Sequence, residues 1–119
     1  MIDLGVMEQM TLFRVYTDAD LQSIVEPAGR MFVLFYSEWC PFSRMFLPIF
    51  ETFSKGREDS CLEVVLDDDM VLWDIYDIKI VPTVLLFSQG SVTARLDGVS
   101  HEGLTERQLL DFASRQSSS

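Results

Sequence analysis

Met31, Phe32, Val33, Leu34, Phe35 and Tyr36 form an unbroken apolar run in an otherwise mixed chain. A strand with one wet face alternates apolar and polar residues. A strand without alternation needs cover on both faces, which is the pattern of a central strand in an α/β sheet. Six residues fall far short of the roughly 20 required to cross a bilayer. The run therefore predicts a buried central strand between two helical layers. It is followed at once by Ser37, Glu38, Trp39, Cys40 and Pro41, where the pattern turns from strand to helix.

The flanking segments supply the rest of a sheet. Thr11 to Tyr16 is a short β-rich run. Thr17 or Asp18 then caps a helix with Leu21, Ile24 and Val25 at i, i+3, i+4 spacing, ended by Pro27 and Gly29. A second helix is predicted from Pro41 to Phe53, with Met45, Phe46, Ile49, Phe50 and Phe53 apolar and a kink expected at Pro48. Lys55 to Ser60 reads as a polar loop and Cys61 to Leu66 as the next strand. Asp67, Asp68 and Asp69 lead into a short helix through Trp73 to Tyr76. Thr83 to Phe87 and Ser91 to Leu96 form a hairpin around Ser88, Gln89 and Gly90. Thr105 and Gln108 have capping-box spacing, and Leu104 and Leu109 staple spacing, at the start of a last helix with Leu109, Phe112 and Ala113 inward. The tail from Arg115 is expected to fray. The order β-α-β-α-β-α-β-β-α implies a mixed sheet with helices on both faces.

The length of 119 residues, with 48% hydrophobic and 24% charged, suits one domain spanning residues 1–119. Nine basic against nineteen acidic side chains give a net charge of −10. That balance speaks against nucleic acid and against anionic membrane surfaces, both of which are recognised through Lys and Arg. The first ten residues carry acids and neither a basic start nor a long apolar stretch, so a cytoplasmic location is expected. Cys40 and Cys61 are too few for a disulfide framework and are expected to be free thiols.

Cys40 carries the chemistry. A cysteine directly after a buried strand and at a helix start meets unpaired N–H groups and the positive end of the helix dipole, which favour the thiolate. Arg44, one turn on, adds to this. The alternative is a small core cysteine that merely ends a strand.

The segment from Phe32 to Phe50, with strand, Trp39-Cys40-x-x, helix and Pro48 eight residues after the cysteine, resembles the active-site region of thioredoxins. Tyr76 to Phe87, containing Val81, Pro82 and Thr83, is similar to the second signature of that family. The resemblance covers about residues 11–115. It implies the thioredoxin fold, a central mixed β-sheet flanked by helices on both faces, and thiol–disulfide exchange with Cys40 as nucleophile. It further implies a cis peptide bond before Pro82, a hairpin glycine at Gly90 and a groove glycine at Gly98. An ordinary trans proline opening a strand is the other reading of Pro82.

Three departures from the family bear on function. The second cysteine of the site is replaced by Ser43, which cannot resolve a mixed disulfide. The buried carboxylate expected at Leu34 or its neighbours is absent from that strand. The lysine often paired with that carboxylate is matched by Glu63. These departures imply a monothiol member that forms mixed disulfides with protein or glutathione. Two alternatives stand beside it. One is a dithiol reductase carrying a Cys-to-Ser change at position 43. The other is a redox-idle binding or chaperone domain that uses the groove.

The site expected from the resemblance comprises Cys40 and Ser43, with Trp39, Pro41, Phe42, Val81, Pro82 and Gly98 holding an extended substrate. Ser43 is expected to hydrogen-bond the Cys40 sulfur. Cys40-Pro41-Phe42-Ser43 is also similar to the site of some glutaredoxins that hold an iron–sulfur cluster, but Trp39 and the extra N-terminal β-α unit favour thioredoxins. No cofactor and no metal are expected: Asp67 to Asp69 reads as a solvated turn, and His101 is alone. Trp73 and Tyr76, with Leu72 and Ile75, are expected in the core. Partners are expected to be protein thiols and disulfides with basic or mixed surfaces, and the chain a monomer or weak dimer.

Overall fold

A computed structural model of the chain describes residues 12–67 and 70–117. Among these residues the strands are β1 (Arg14–Val15), β2 (Arg30–Tyr36), β3 (Cys61–Val65), β4 (Thr83–Ser88) and β5 (Ser91–Leu96). They stand side by side in the order β1-β3-β2-β4-β5. β3 runs parallel to both β1 and β2, whereas β4 is antiparallel to β2 and β5. The helices are α1 (Asp18–Val25), α2 (Pro41–Ser54), α3 (Met70–Ile75) and α4 (Glu106–Ser117).

The apolar run lies at the centre of this sheet, as its pattern requires. Met31, Val33 and Phe35 point into a core completed by Leu21 and Val25 of α1 and Leu72 of α3. Leu34 and Tyr36 point the other way, against Phe46 and Phe50 of α2 and Leu109 and Phe112 of α4. The mixed sheet with helices on both faces is thus the observed fold.

α2 begins at Pro41, where a missing N–H costs no helical bond. The helix continues through Pro48 to Ser54. A proline inside a helix costs about 3 kcal/mol. Phe46 and Phe50 are fully buried on either side of it, and each burial contributes roughly 1.5–3 kcal/mol. The aromatic face therefore holds the helix across the proline. Met45 of α2 is 70% exposed and Ile75 of α3 is 48% exposed, so two residues expected inward lie on outer faces.

Other boundaries differ from expectation. The first strand is confined to Arg14–Val15; Thr11, its expected start, lies outside the described residues, as do Asp68 and Asp69. The loop before β3 contains a 3-10 turn, Glu58–Ser60. α4 continues to Ser117, past the point at which fraying is expected. Its capping box forms: Thr105 N–H donates to Gln108 Oε1 at 2.8 Å, and Gln108 N–H to Thr105 Oγ1 at 3.2 Å. The hairpin turn is two residues, Gln89 and Gly90, at φ 52° and 91°; Ser88 belongs to β4 and pairs with Ser91. Positive φ at both central residues matches the right-handed twist of the flanking strands.

Candidate active site

β2 ends at Tyr36, and the chain turns sharply before α2. Asp67 holds that turn. Its carboxylate accepts from Ser37 Oγ–H and, at 3.0 Å, from Glu38 N–H. Ser37 Oγ in turn accepts from Trp39 N–H at 3.2 Å. Read as a solvated turn residue in the sequence, Asp67 is instead a half-buried acceptor. The β2–β3 register explains it: Tyr36 pairs with Val65, so the residues leaving both parallel strands emerge side by side.

Cys40 is the N-cap of α2 and is half-buried. Its sulfur does not cap the helix; Sγ lies 3.8 Å from the carbonyl oxygen of Val81. The Val81–Pro82 peptide bond is cis. Trp39, next to the thiol, is 83% exposed. Ser43 is completely buried, and its Oγ accepts from Ser37 N–H at 3.3 Å. The expected bond between Ser43 and the Cys40 sulfur is not formed, because the serine faces the turn rather than the thiol.

Two glycines bring loops onto this centre. A Cβ on Gly98 would come within 2.3 Å of the Pro82 carbonyl oxygen, so only glycine lets that loop reach Pro82. Thr83, wholly buried, fixes the approach: its hydroxyl donates to Ile80 O at 2.7 Å and accepts from Gly98 N–H at 3.2 Å. Gly103, at φ 74°, packs against Phe42, whose Cβ lies 2.9 Å from where a glycine Cβ would stand. The loop between these glycines is closed by a bridge from Val99 to Gly103, with exposed His101 at its tip. The eight sequence-predicted residues are thus held along one end of the sheet by the β2–α2 turn, the start of β4 and this loop. Gly103 and Thr83 are additions that sequence reasoning missed; for Gly103 the only local signal is the glycine itself.

Cys61 is far from this centre. It opens β3 and pairs with Phe32 at the other end of β2, and it is 2% exposed. Burial pushes its thiol up to about 12. Among the described residues no group of three or more His, Cys, Asp or Glu is placed to hold a metal, and no helix is long and apolar enough to cross a membrane.

The sequence and the fold both match known proteins. A family model of thioredoxin fits residues 13–111. The chain belongs to the thioredoxin family. A thioredoxin of Alicyclobacillus acidocaldarius subsp. acidocaldarius is 28% identical over 97 residues, covering 80% of this chain and 92% of that one. Among solved structures, the oxidised thioredoxin of Plasmodium falciparum has 20% identity and a TM-score of 0.75, covering 89% of this chain and 98% of its own. A structure described as ferredoxin:thioredoxin reductase in complex with thioredoxin f2 has 22% identity and a TM-score of 0.74, with coverage of 92% and 96%.

A buried acid lies inside the sheet of this thioredoxin family member. Glu63 on β3 pairs with Leu34 on β2 and is completely buried. Arg14 Nε–H donates to Glu63 Oε1 at 3.2 Å, while Oε2 has no partner among the described residues. Burial raises the Glu63 carboxyl to about 7, Glu51 of α2 adds to the rise, and Arg14 opposes it. The hydroxyl of Tyr36, also buried without a partner, is raised by its own burial and by the Glu63 charge. Leu34 brings no acid to β2, but its neighbour across the ladder does. An acid inside a strand otherwise made of Cys61, Leu62, Val64 and Val65 was the visible signal.

Proposed function

We propose that this chain is a monothiol thioredoxin-like protein whose Cys40 exchanges with disulfides. Family membership supports thiol–disulfide chemistry. The observation that carries the monothiol reading is the pair of positions on α2: an N-capping, half-buried Cys40 at one, and a buried, hydrogen-bonded Ser43 at the other.

In the proposed reaction the Cys40 thiolate attacks one sulfur of a substrate disulfide. The new Cys40–S bond forms as the old S–S bond breaks, and the leaving sulfur departs as a thiolate that takes up a proton from water. An external thiol, glutathione or a protein thiol, then attacks the mixed disulfide and releases Cys40. Electrons balance at each step, since one disulfide is exchanged for another. The substrate lies as an extended segment against Val81 and Pro82, in strand-like pairing with the Val81 backbone, whose oxygen the Cys40 thiol contacts at 3.8 Å in the free chain. Trp39, Pro41 and Phe42 form the apolar rim, and Gly98 leaves room beside Pro82. A reductase of the kind named for the f2 neighbour is a candidate class of partner, as are protein disulfides.

The 83% exposure of Trp39 beside the thiol also suits a groove that binds partners without chemistry. The two readings separate on one experiment. The reduced protein is incubated with glutathione disulfide, and each cysteine is followed by peptide mass spectrometry. A glutathione adduct at Cys40 that reduced glutathione removes is expected. Absence of the adduct overturns the redox reading in favour of binding alone.

A further inference from the structure

At the end of the sheet opposite Cys40 a cleft of about 440 Å³ opens between the start of β2, the end of α2 and the outer part of α4. Its size falls within the roughly 300–1,000 Å³ of small-molecule sites. Phe32, Phe53, Leu110 and Ala113 make it apolar, and Arg30 and Arg57 stand in its wall. Phe32 and Phe53 meet edge to face at 5.4 Å, which gives the floor a rigid aromatic surface. Leu110 is left 49% exposed at the mouth.

The charges are the informative part. In a chain of net charge −10, Arg14, Lys79 and Arg95 each pair with a carboxylate. Among the described residues Arg30 and Arg57 do not, and neither do Arg44, Lys55 and Arg107; of these five, Arg30 and Arg57 share the cleft. Arg57 is held by a 2.7 Å bond to Phe53 O and lies 4.1 Å over the Phe53 ring. Arg30 donates at 3.1 Å to Gln116 O. Each guanidinium has five N–H donors in a planar fork, so these contacts orient both cations and leave donors for an anion.

We propose that this cleft binds a small amphipathic anion, with its apolar body against Phe32, Phe53, Leu110 and Ala113 and its acidic head between Arg30 and Arg57. The site is separate from the thiol chemistry, since β2 runs from one to the other.

Decanoate and uncharged decanol, which share an apolar tail, test this by amide chemical-shift titration of the full chain. Decanoate is expected to shift the amides of Phe32, Phe53 and Ala113 and to leave Trp39 and Val81 unmoved, with decanol at least tenfold weaker. The doubly substituted Arg30→Gln/Arg57→Gln chain is expected to lose at least tenfold in decanoate affinity while Cys40 alkylates at the unchanged rate, which shows that the fold is kept. Leu110→Glu, on an exposed position, should weaken decanoate by a similar factor. Absence of cleft shifts, equal binding of decanol, undiminished binding by both variants, or shifts confined to Trp39 and Val81 would overturn the assignment.

Discussion

Glu63 and Arg14 join an inner strand of the sheet to its edge: the Nε–H of a half-buried arginine on β1 donates at 3.2 Å to a carboxylate on β3 that has no exposure to solvent. The arginine also lies 3.9 Å from Glu51 and 4.0 Å from Glu38. One cation thus serves three acids, and Glu63 receives too little compensation for its burial. An incompletely paired buried carboxylate is held towards its protonated form.

The sign of the pH effect follows. Glu63 rises from 4.5 to about 7 on folding, so the folded chain holds this proton more tightly than the unfolded chain. The stabilising contribution is present below 4.5 and is lost as pH climbs through about 7. Urea midpoints at pH 5, 6, 7 and 8 should show Glu63→Gln gaining on the unsubstituted chain by on the order of 2 kcal/mol across that range. Parallel pH profiles for the two proteins would rule out Glu63 as the source.

Ser43→Cys should convert the site into a dithiol couple. Insulin reduction by the unsubstituted chain is expected to be slow, and the variant at least tenfold faster. The substitution also weakens the acceptor that Ser37 N–H now uses, at a cost of about 1 kcal/mol in denaturant stability. Equal turnover by both proteins would mean that a second sulfur is not what limits this chain.

Gly98→Ala places a methyl group within 2.3 Å of the Pro82 carbonyl oxygen. Backbone has to move, and overpacking of this kind costs typically 1–3 kcal/mol. The thermal midpoint should fall and mixed-disulfide formation at Cys40 should slow, because the displaced oxygen belongs to the residue after Val81. A variant with unchanged midpoint and rate would place the loop away from Pro82 in solution.

Iodoacetamide at pH 8 should label one thiol per native chain, Cys40, and two in urea. Cys61 is 2% exposed, and burial pushes it up to about 12. Comparable native labelling of both cysteines would contradict that burial.

The parts legible in sequence were those whose signal is local. The Met31–Tyr36 run, the Thr105–Gln108 box, the hairpin near Gly90 and Pro41 after Cys40 each depend on residues a few positions apart. Pro48 shows the limit of such signals, because its local cost is offset by two phenylalanines whose burial needs the whole sheet. Ser43 misled for a related reason: spacing from Cys40 puts it one turn on, but only the folded turn at Ser37 decides which way its hydroxyl faces.

The amino-acid order by itself therefore determined the element sequence, the central strand, and a single cysteine at a helix start with a serine three residues on. Tertiary structure decided what surrounds them. Strand register sets Glu63 beside Leu34 and brings Asp67 to the turn before Cys40; loop closure seats Gly98 on Pro82; the packing of α2 against α4 leaves Arg30 and Arg57 around an apolar cleft. Periodicity and capping act over one or two turns of chain, whereas these contacts join residues that only a completed sheet makes neighbours.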